Sequence, residues 1–445
     1  LTIPSAPPPE GRPLDPSIAP DATPERASFE RGAKRSRWVV AEPAEVEKDE
    51  EANQPVGALI ILGLFGALLY WGGLRPFVVV MGLFLMIMLH ELGHFVAARW
   101  AGIKVTQFFV FMGPRVYSFK RGETEYGIRL LPLGGFVRII GMHNLDPVSA
   151  EDQPRSFMAA SYPKRMLVMT AGSLMHMVQA VILFVVLSSV IGVDDYGRWA
   201  VDTVSELEQG ETPAVVAGLV PGETVVSANG VPTEDFRDLQ TYLSARPGEE
   251  VTLEIVGDAG TRTVDVVLAE VPTESGETIG FLGVAPTFEK TRLSPMVGVE
   301  NFGIASWEVL KAVPRLLSPS TFVNLAKLMA DGSQDVAIDS DEAATRPISI
   351  YGAVRYAGQP DFDWAMPISM LALINLFVGF FNMVPLLPLD GGHVALATYE
   401  RIRSRNGKRY HVDVAKLLPV TWAVVTLLGF LMIATLYLDV ARPIG

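Results

Sequence analysis

The chain has 445 residues, 49% of them hydrophobic, and a mean hydropathy of +0.30, which argues against an ordinary soluble enzyme and makes a membrane protein the expectation. Its formal charge of -13 points to no nucleic-acid partner and is distributed in a way that reports topology. Cysteine is absent, which removes disulfides and thiolate metal sites, so any metal must use carboxylates and the six histidines His90, His94, His143, His176, His393 and His411.

Residues 1–54 run from "LTIPSAPPPEGRPLDPSIAPDATPERAS" to the acidic "EVEKDEEANQ", rich in Pro, Ala and charge without apolar periodicity. This predicts a disordered tail, and about fifty polar residues ahead of the first apolar run argue against a cleaved signal peptide. Four or five apolar runs follow that are long enough for a bilayer, which needs roughly 20 residues per helix. They are "VGALIILGLFGALLYWGGL" (56–74), "FVVVMGLFLMIMLHELGHFVAARW" (77–100), "MLVMTAGSLMHMVQAVILFVVLSSVIGV" (166–193), "MPISMLALINLFVGFFNMVPLLPL" (366–389) and "LLPVTWAVVTLLGFLMIATLYL" (417–438). Only "RP" separates the first two, and a tight hairpin is expected there. The first run, within 55–75, is then an extra N-terminal transmembrane helix ahead of a four-helix core.

The loop 101–165 carries Lys104, Arg115, Lys120, Arg121, Arg129, Arg138, Arg155, Lys164 and Arg165, and the loop 399–416 carries "ERIRSRNGKRYH". Both are expected on the cytoplasmic side. Segment 194–290 is dominated by Asp and Glu and is expected outside. Five crossings reconcile these assignments with a cytoplasmic tail and place His90 and His94 in the cytoplasmic half of their helix, with "LPLDGGH" at the same depth. The basic "RIRSRNGKR" is read as an anchor near anionic lipid.

Within 194–290, "TPAVVAGLVPGETVVSANGVPTEDFRDLQTYL", "EEVTLEIV" and "RTVDVVLAEV" alternate like strands around a Gly-rich turn and a short helix. On "AGLVPGETVVSANG" (217–230) the segment resembles a PDZ domain of bacterial protease type, a fold that captures extended peptides by strand addition. Residues 291–365 are a connecting amphipathic segment. The fold class is therefore a polytopic α-helical membrane protein with an inserted β-rich PDZ-like domain, its core split into 76–193 and 366–445.

The stretch "MLHELGHFVA" (88–97) puts two histidines and an acid inside an apolar run. An acid at mid-bilayer costs on the order of 3 kcal/mol on insertion scales, so such clusters persist where something uses them. On a helix, His90 and His94 at i and i+4 share a face and can hold one zinc, while Glu91 can act as base toward a water. Catalytic zinc takes three protein ligands. Candidates for the third are the remaining histidines and any carboxylate at membrane depth, and Asp390 is the only acid in or at the end of the fourth run. Pro385 and Pro388 would break the helix there, freeing backbone groups tolerated only in a protein-lined or polar setting. Asn382 could hydrogen-bond substrate backbone.

HELGH in one membrane helix, a PDZ-like domain, then "NMVPLLPLDGG" in a later helix resembles the site-2 protease family of intramembrane zinc metalloproteases, of the bacterial RseP-like kind, over about 77–438. The resemblance implies His90, His94 and Asp390 as zinc ligands, Glu91 as general base and Asn382 at the substrate. "YGIRLLPLGGFVRIIGM" (126–142) is similar to the family's membrane-associated β-hairpin, whose edge would receive substrate as an added strand beside Gly134 and Gly135; a plain turn is the alternative. Substrates would be pre-trimmed single-pass membrane proteins, anti-sigma factors or signal-peptide remnants, cut after an upstream site-1 protease has acted.

The chain departs from the family pattern at Ser173 and His176 in "AGSLMH" and at Arg346 in "RPISIYG". A single histidine in a helix, such as His176, is expected to be packed and hydrogen-bonded rather than a proton relay. His393 is expected beside the ligands rather than among them, and His143 and His411 in basic loops. A di-iron His-box oxidase would need many more histidines, and a scaffold with a vestigial metal site would have lost Glu91 or Asp390.

Overall fold

Apolar runs become helices here because few side chains in them compete for backbone hydrogen bonds, and prolines set several of their limits. The computed structural model describes residues 55–142, 148–204, 212–272, 278–330, 346–359, 363–404 and 410–443. The amino-terminal tail, His143 and the 405–409 part of the last basic loop lie outside the described residues.

Helix α1 (Pro55–Gly72) is followed after Gly73, at φ 78°, by α2 (Leu74–Trp100). Phe65 and Phe84 meet edge to face at 5.6 Å. In one continuous helix those rings would lie roughly 28 Å apart, so the two helices form the expected hairpin. Four helices among the described residues are long and apolar enough to cross a membrane: α2, α3 (Tyr162–Val186, running on to Ile191), α9 (Ala365–Asn382) and α11 (Leu418–Ala441, with the turn before it). The apolar part of α1, Val56–Gly72, is shorter than these.

The fourth apolar run is not one helix. Its helical part ends at Asn382, and residues 383–389 turn before α10 (Asp390–Arg403) begins. Pro385 and Pro388 lack the N–H groups that would continue α9. Gly391 and Gly392 let the new helix press on that turn, because a Cβ on either would overlap the backbone of Met383 or Leu386.

Between α2 and α3 lies a sheet of two long bent strands, β1 (Val105–Arg121) and β2 (Thr124–Ile139). The register doubles back: Phe109 is partnered by Phe136 on one side and by Gly127 on the other. The stretch from Gly135 to Ile139 pairs only with the start of β1 and forms an edge turned toward α2.

Strand β3 (Val193–Val204) opens a β-rich unit, continued by the turn α4 (Pro213–Val216), β4 (Thr224–Ala228), β5 (Val231–Pro232), α5 (Phe236–Ser244), β6 (Glu250–Gly257), β7 (Gly260–Val267), β8 (Ala269–Pro272), β9 (Thr278–Phe281) and β10 (Val284–Thr291). The sheet order is β5-β4-β6-β7, with separate β3-β10 and β8-β9 pairs. The unit has its own core around Val225, Leu239, Leu253 and Ile255, each large side chain contributing about 1.5–3 kcal/mol on burial. The ladder that closes the unit runs as far as Val193 opposite Thr291.

Helices α6 (Pro295–Leu316), α7 (Pro319–Ala330) and α8 (Ile350–Ala357) lead back to α9. Helices α2, α3 and α9 pack on one another, with Val79, Leu83, Ala180, Leu371 and Leu376 at their contacts. Helix α11 packs chiefly on α7 and α8. Its end is tied down by a buried ion pair, Arg346 Nη2 to Asp439 Oδ1 at 3.0 Å, and Asp439 Oδ2 accepts from the Ser349 backbone N–H at 2.6 Å.

Candidate metal centre

His90 and His94 lie on the face of α2 that meets α3, and both are buried. Asp390, first residue of α10, reaches them from the other end of the chain. His90 Nε2 lies 3.1 Å from His94 Nε2, and Asp390 Oδ2 lies 3.5 Å from the first and 3.2 Å from the second. The three are the group among the described residues that could hold a metal ion.

Hydrogen-bond chemistry fixes the role of one of these atoms. His94 Nδ1 lies 2.7 Å from the Val168 carbonyl, and a carbonyl only accepts. Nδ1 therefore carries the proton and Nε2 presents a lone pair. Asp390 Oδ2 is buried with no hydrogen-bond donor. Acceptors converging on an undonated point call for a cation between them, since unpaired buried polar atoms are costly. Ligand atoms on a tetrahedral zinc, each about 2.0–2.1 Å from the ion, are spaced roughly 3.3 Å apart, which the three separations match.

The cleft exists because α3 has no side chain where it crosses. A Cβ on Gly172 would overlap His94 Nε2 and come within 2.5 Å of His90 Cε1. Gly93 of α2 plays the reciprocal part, a Cβ there meeting the Ala171 carbonyl at 2.7 Å. The His90 Nδ1 edge faces the Gly172 backbone without a well-formed hydrogen bond.

Glu91 points from the same helix toward β2. A Cβ on Gly135 would sit 3.5 Å from its Cγ, so the acid lies against this stretch of β2. The edge strand, the acid and the two imidazoles thus share one cleft. Gly134, at φ +108°, adopts a backbone conformation that other residues rarely do and lies over Ile87. Asn382 is the half-buried last residue of α9, at the start of the turn that leads to Asp390.

His176 is packed and hydrogen-bonded, as a single helical histidine is expected to be, with Nδ1 3.1 Å from Asn375 Oδ1. Its ring also lies 4.9 Å from that of His90. Asn375, which in turn donates to the Leu371 carbonyl at 2.9 Å, is absent from the sequence-derived site, as is Gly172. An asparagine in the middle of an apolar run was the available signal for the first. Gly172 offered none, because its partners come from another helix.

Comparison with known proteins finds zinc metalloproteases. A sequence model of Peptidase family M50 matches residues 78–426. The chain is 30% identical over 397 residues to the zinc metalloprotease Rip1 of Mycolicibacterium smegmatis, covering 80% of this chain and 95% of the relative. It is 30% identical over 407 residues to zinc metalloprotease Rip1 of Mycobacterium tuberculosis strain H37Rv, covering 82% and 96%. A putative zinc metalloprotease of Clostridium acetobutylicum is 28% identical over 361 residues, covering 81% and 95%.

Proposed function

The chain belongs to peptidase family M50 and is a zinc metalloendopeptidase of site-2 protease type, and on that premise we propose that it hydrolyses peptide bonds in or near the transmembrane segments of pre-trimmed membrane proteins. The observation that carries the reading is the convergence of His90 Nε2, His94 Nε2 and Asp390 Oδ2 on one undonated point. These three residues would hold the zinc. Zinc bound there supplies Lewis acidity, polarising a carbonyl and lowering the pKa of water.

Glu91, one residue from His90 and turned toward the edge strand, takes the proton of the attacking water and returns it to the leaving amine. The edge from Gly135 to Ile139 receives the substrate as an added strand, which replaces the internal hydrogen bonds a substrate helix loses on unwinding. Asn382 hydrogen-bonds substrate backbone at the turn after α9. The apolar depth of α2 and α9 supports a scissile bond within the membrane.

The basic loops support a metal centre on the cytoplasmic side and an acidic β-rich unit outside. That unit, a four-stranded antiparallel sheet with one short helix over a closed core, is read as PDZ-like and as a filter for substrates already trimmed by a site-1 protease. Anti-sigma factors and signal-peptide remnants are the substrate classes proposed, and the setting is a bacterial cell membrane.

The test is quantitative proteomics of membranes from cells carrying the native protein or Glu91→Gln. Short, ectodomain-trimmed single-pass fragments are expected to accumulate only with the variant. Identical membranes at rest and under envelope stress would overturn the reading.

A further inference from the structure

Away from the metal centre, a cavity of about 340 Å³ opens between the amino-terminal end of α3 and the second half of α10. Its walls include Ser161, Tyr162, Arg165, Glu400, Arg401 and Tyr410. The acid in it is already neutralised. Glu400 Oε2 accepts from Arg165 Nη2 at 2.7 Å, and Oε1 accepts from the Val412 backbone N–H at 2.8 Å.

The donors are not. Arg165 is nine-tenths buried, yet its Nε has no hydrogen-bond partner, an omission that costs about 1–3 kcal/mol when nothing fills it. Arg401 is exposed and has no ion pair among the described residues. Helix α3, 25 residues long, starts at this wall with Ser161 as N-cap and no side-chain cap bond. The N–H groups of its first turn therefore lack a side-chain acceptor at the positive end of the helix. The Tyr410 hydroxyl adds a donor to the lining, whereas that of Tyr162 is spent on Thr398 Oγ1 at 3.2 Å, whose own proton goes to the Val394 carbonyl.

A positive helix end, an orphaned guanidinium N–H and an uncompensated Arg401 around one cavity specify a multiply accepting anion, and the volume exceeds what a simple halide needs. We propose that this cavity binds a phosphate ester, carried by an anionic phospholipid headgroup or by a soluble phosphorylated molecule. The lipid source fits the position of the cavity at Tyr162, where the apolar span of α3 begins. The site is separate from the proposed peptidase chemistry, although α10 joins the two: its first turn holds Asp390 and its last holds Arg401.

The experiment is native mass spectrometry of the full-length, delipidated protein titrated with phosphatidylglycerol or with phosphatidylcholine of the same chains, with and without glycerol phosphate. Phosphatidylglycerol, or glycerol phosphate in its place, is expected to bind in preference to phosphatidylcholine. Arg401→Gln is expected to weaken that binding about tenfold or more, the scale of a lost charge-assisted hydrogen bond. Ala160→Trp, which fills the cavity without altering charge, is expected to do the same. Arg99→Gln removes an equal charge from the exposed end of α2 and should change binding only about fivefold or less. Displacement of the lipid by glycerol phosphate assigns the soluble source, and resistance to it assigns the lipid. Equal losses for Arg401→Gln and Arg99→Gln with none for Ala160→Trp, or no preference among the probes, would overturn the proposal.

Discussion

His94 and Val168 are joined across α2 and α3 by a 2.7 Å hydrogen bond from imidazole Nδ1 to backbone carbonyl, so the packing of two helices decides which nitrogen of His94 faces Asp390. The metal centre is a property of the helix interface as much as of the HELGH sequence.

Gly172→Ala tests that dependence, because its methyl would stand in the space the two imidazoles occupy. Overpacking costs about 1–3 kcal/mol, and here the imidazoles are what must move. Zinc affinity, measured by competition with a chelator, is expected to fall by about 10- to 100-fold, the range seen when groups that orient metal ligands are changed. Unchanged affinity would mean that α3 does not set the ligand geometry.

Glu91→Gln separates metal binding from proton transfer. The variant is expected to keep about one zinc per chain, measured by elemental analysis, while cleavage of a reconstituted transmembrane substrate drops by about 10²- to 10⁴-fold. Asp390→Asn is expected to lose both. Retention of full zinc by Asp390→Asn would remove Asp390 from the ligand set.

How much of this was legible in the sequence differs from residue to residue. The HELGH pair is local, four positions apart on one helix, so its geometry follows from helical period alone. Asp390 was legible as an acid ending an apolar run, but its place at the start of a new helix depends on Pro385 and Pro388 and on two glycines that allow the turn to pack. The doubled register around Phe109 was not legible, since alternation fixes which face a side chain takes but not how a bent strand pairs with its own hairpin. Asn375 stood in plain view in the middle of a run, and only its contact with His176 distinguishes it from Asn382.

Arg346, which departs from the family pattern, is accounted for by Asp439. Their side chains are 0% and 3% exposed, and removing one partner from such a pair leaves a buried charge. Asp439→Ala is expected to destabilise the protein by about 3–5 kcal/mol, and replacing both partners with apolar residues to recover most of that. Thermal unfolding in detergent measures both. Equal losses from the single and double variants would mean that packing, not charge, holds the end of α11.

In the β-rich unit, hydrogen bonds from the Arg262 guanidinium hold the Glu223 carboxyl below its ordinary range. A lowered pKa in the folded state means a contribution present in full above the ordinary glutamate value and lost as pH falls through the lowered one. Glu223→Gln should therefore be less stable than the native chain at neutral pH, with the gap narrowing on acidification below about pH 4. Hydrogen exchange of β4 and β7 at matched intrinsic rates reads this directly. A gap that does not change with pH would refute the assignment.

The ladder that seats Val193 opposite Thr291 has a consequence for the architecture of the gene product. The chain leaves the membrane core and rejoins it at neighbouring points, so the β-rich unit is an insert whose two ends already touch. Such an insert can be excised and the gap closed with a few residues, or exchanged for another module, without asking α3 or α6 to move. Catalytic scaffold and β-rich insert are then free to be recombined independently, one chassis carrying different inserts.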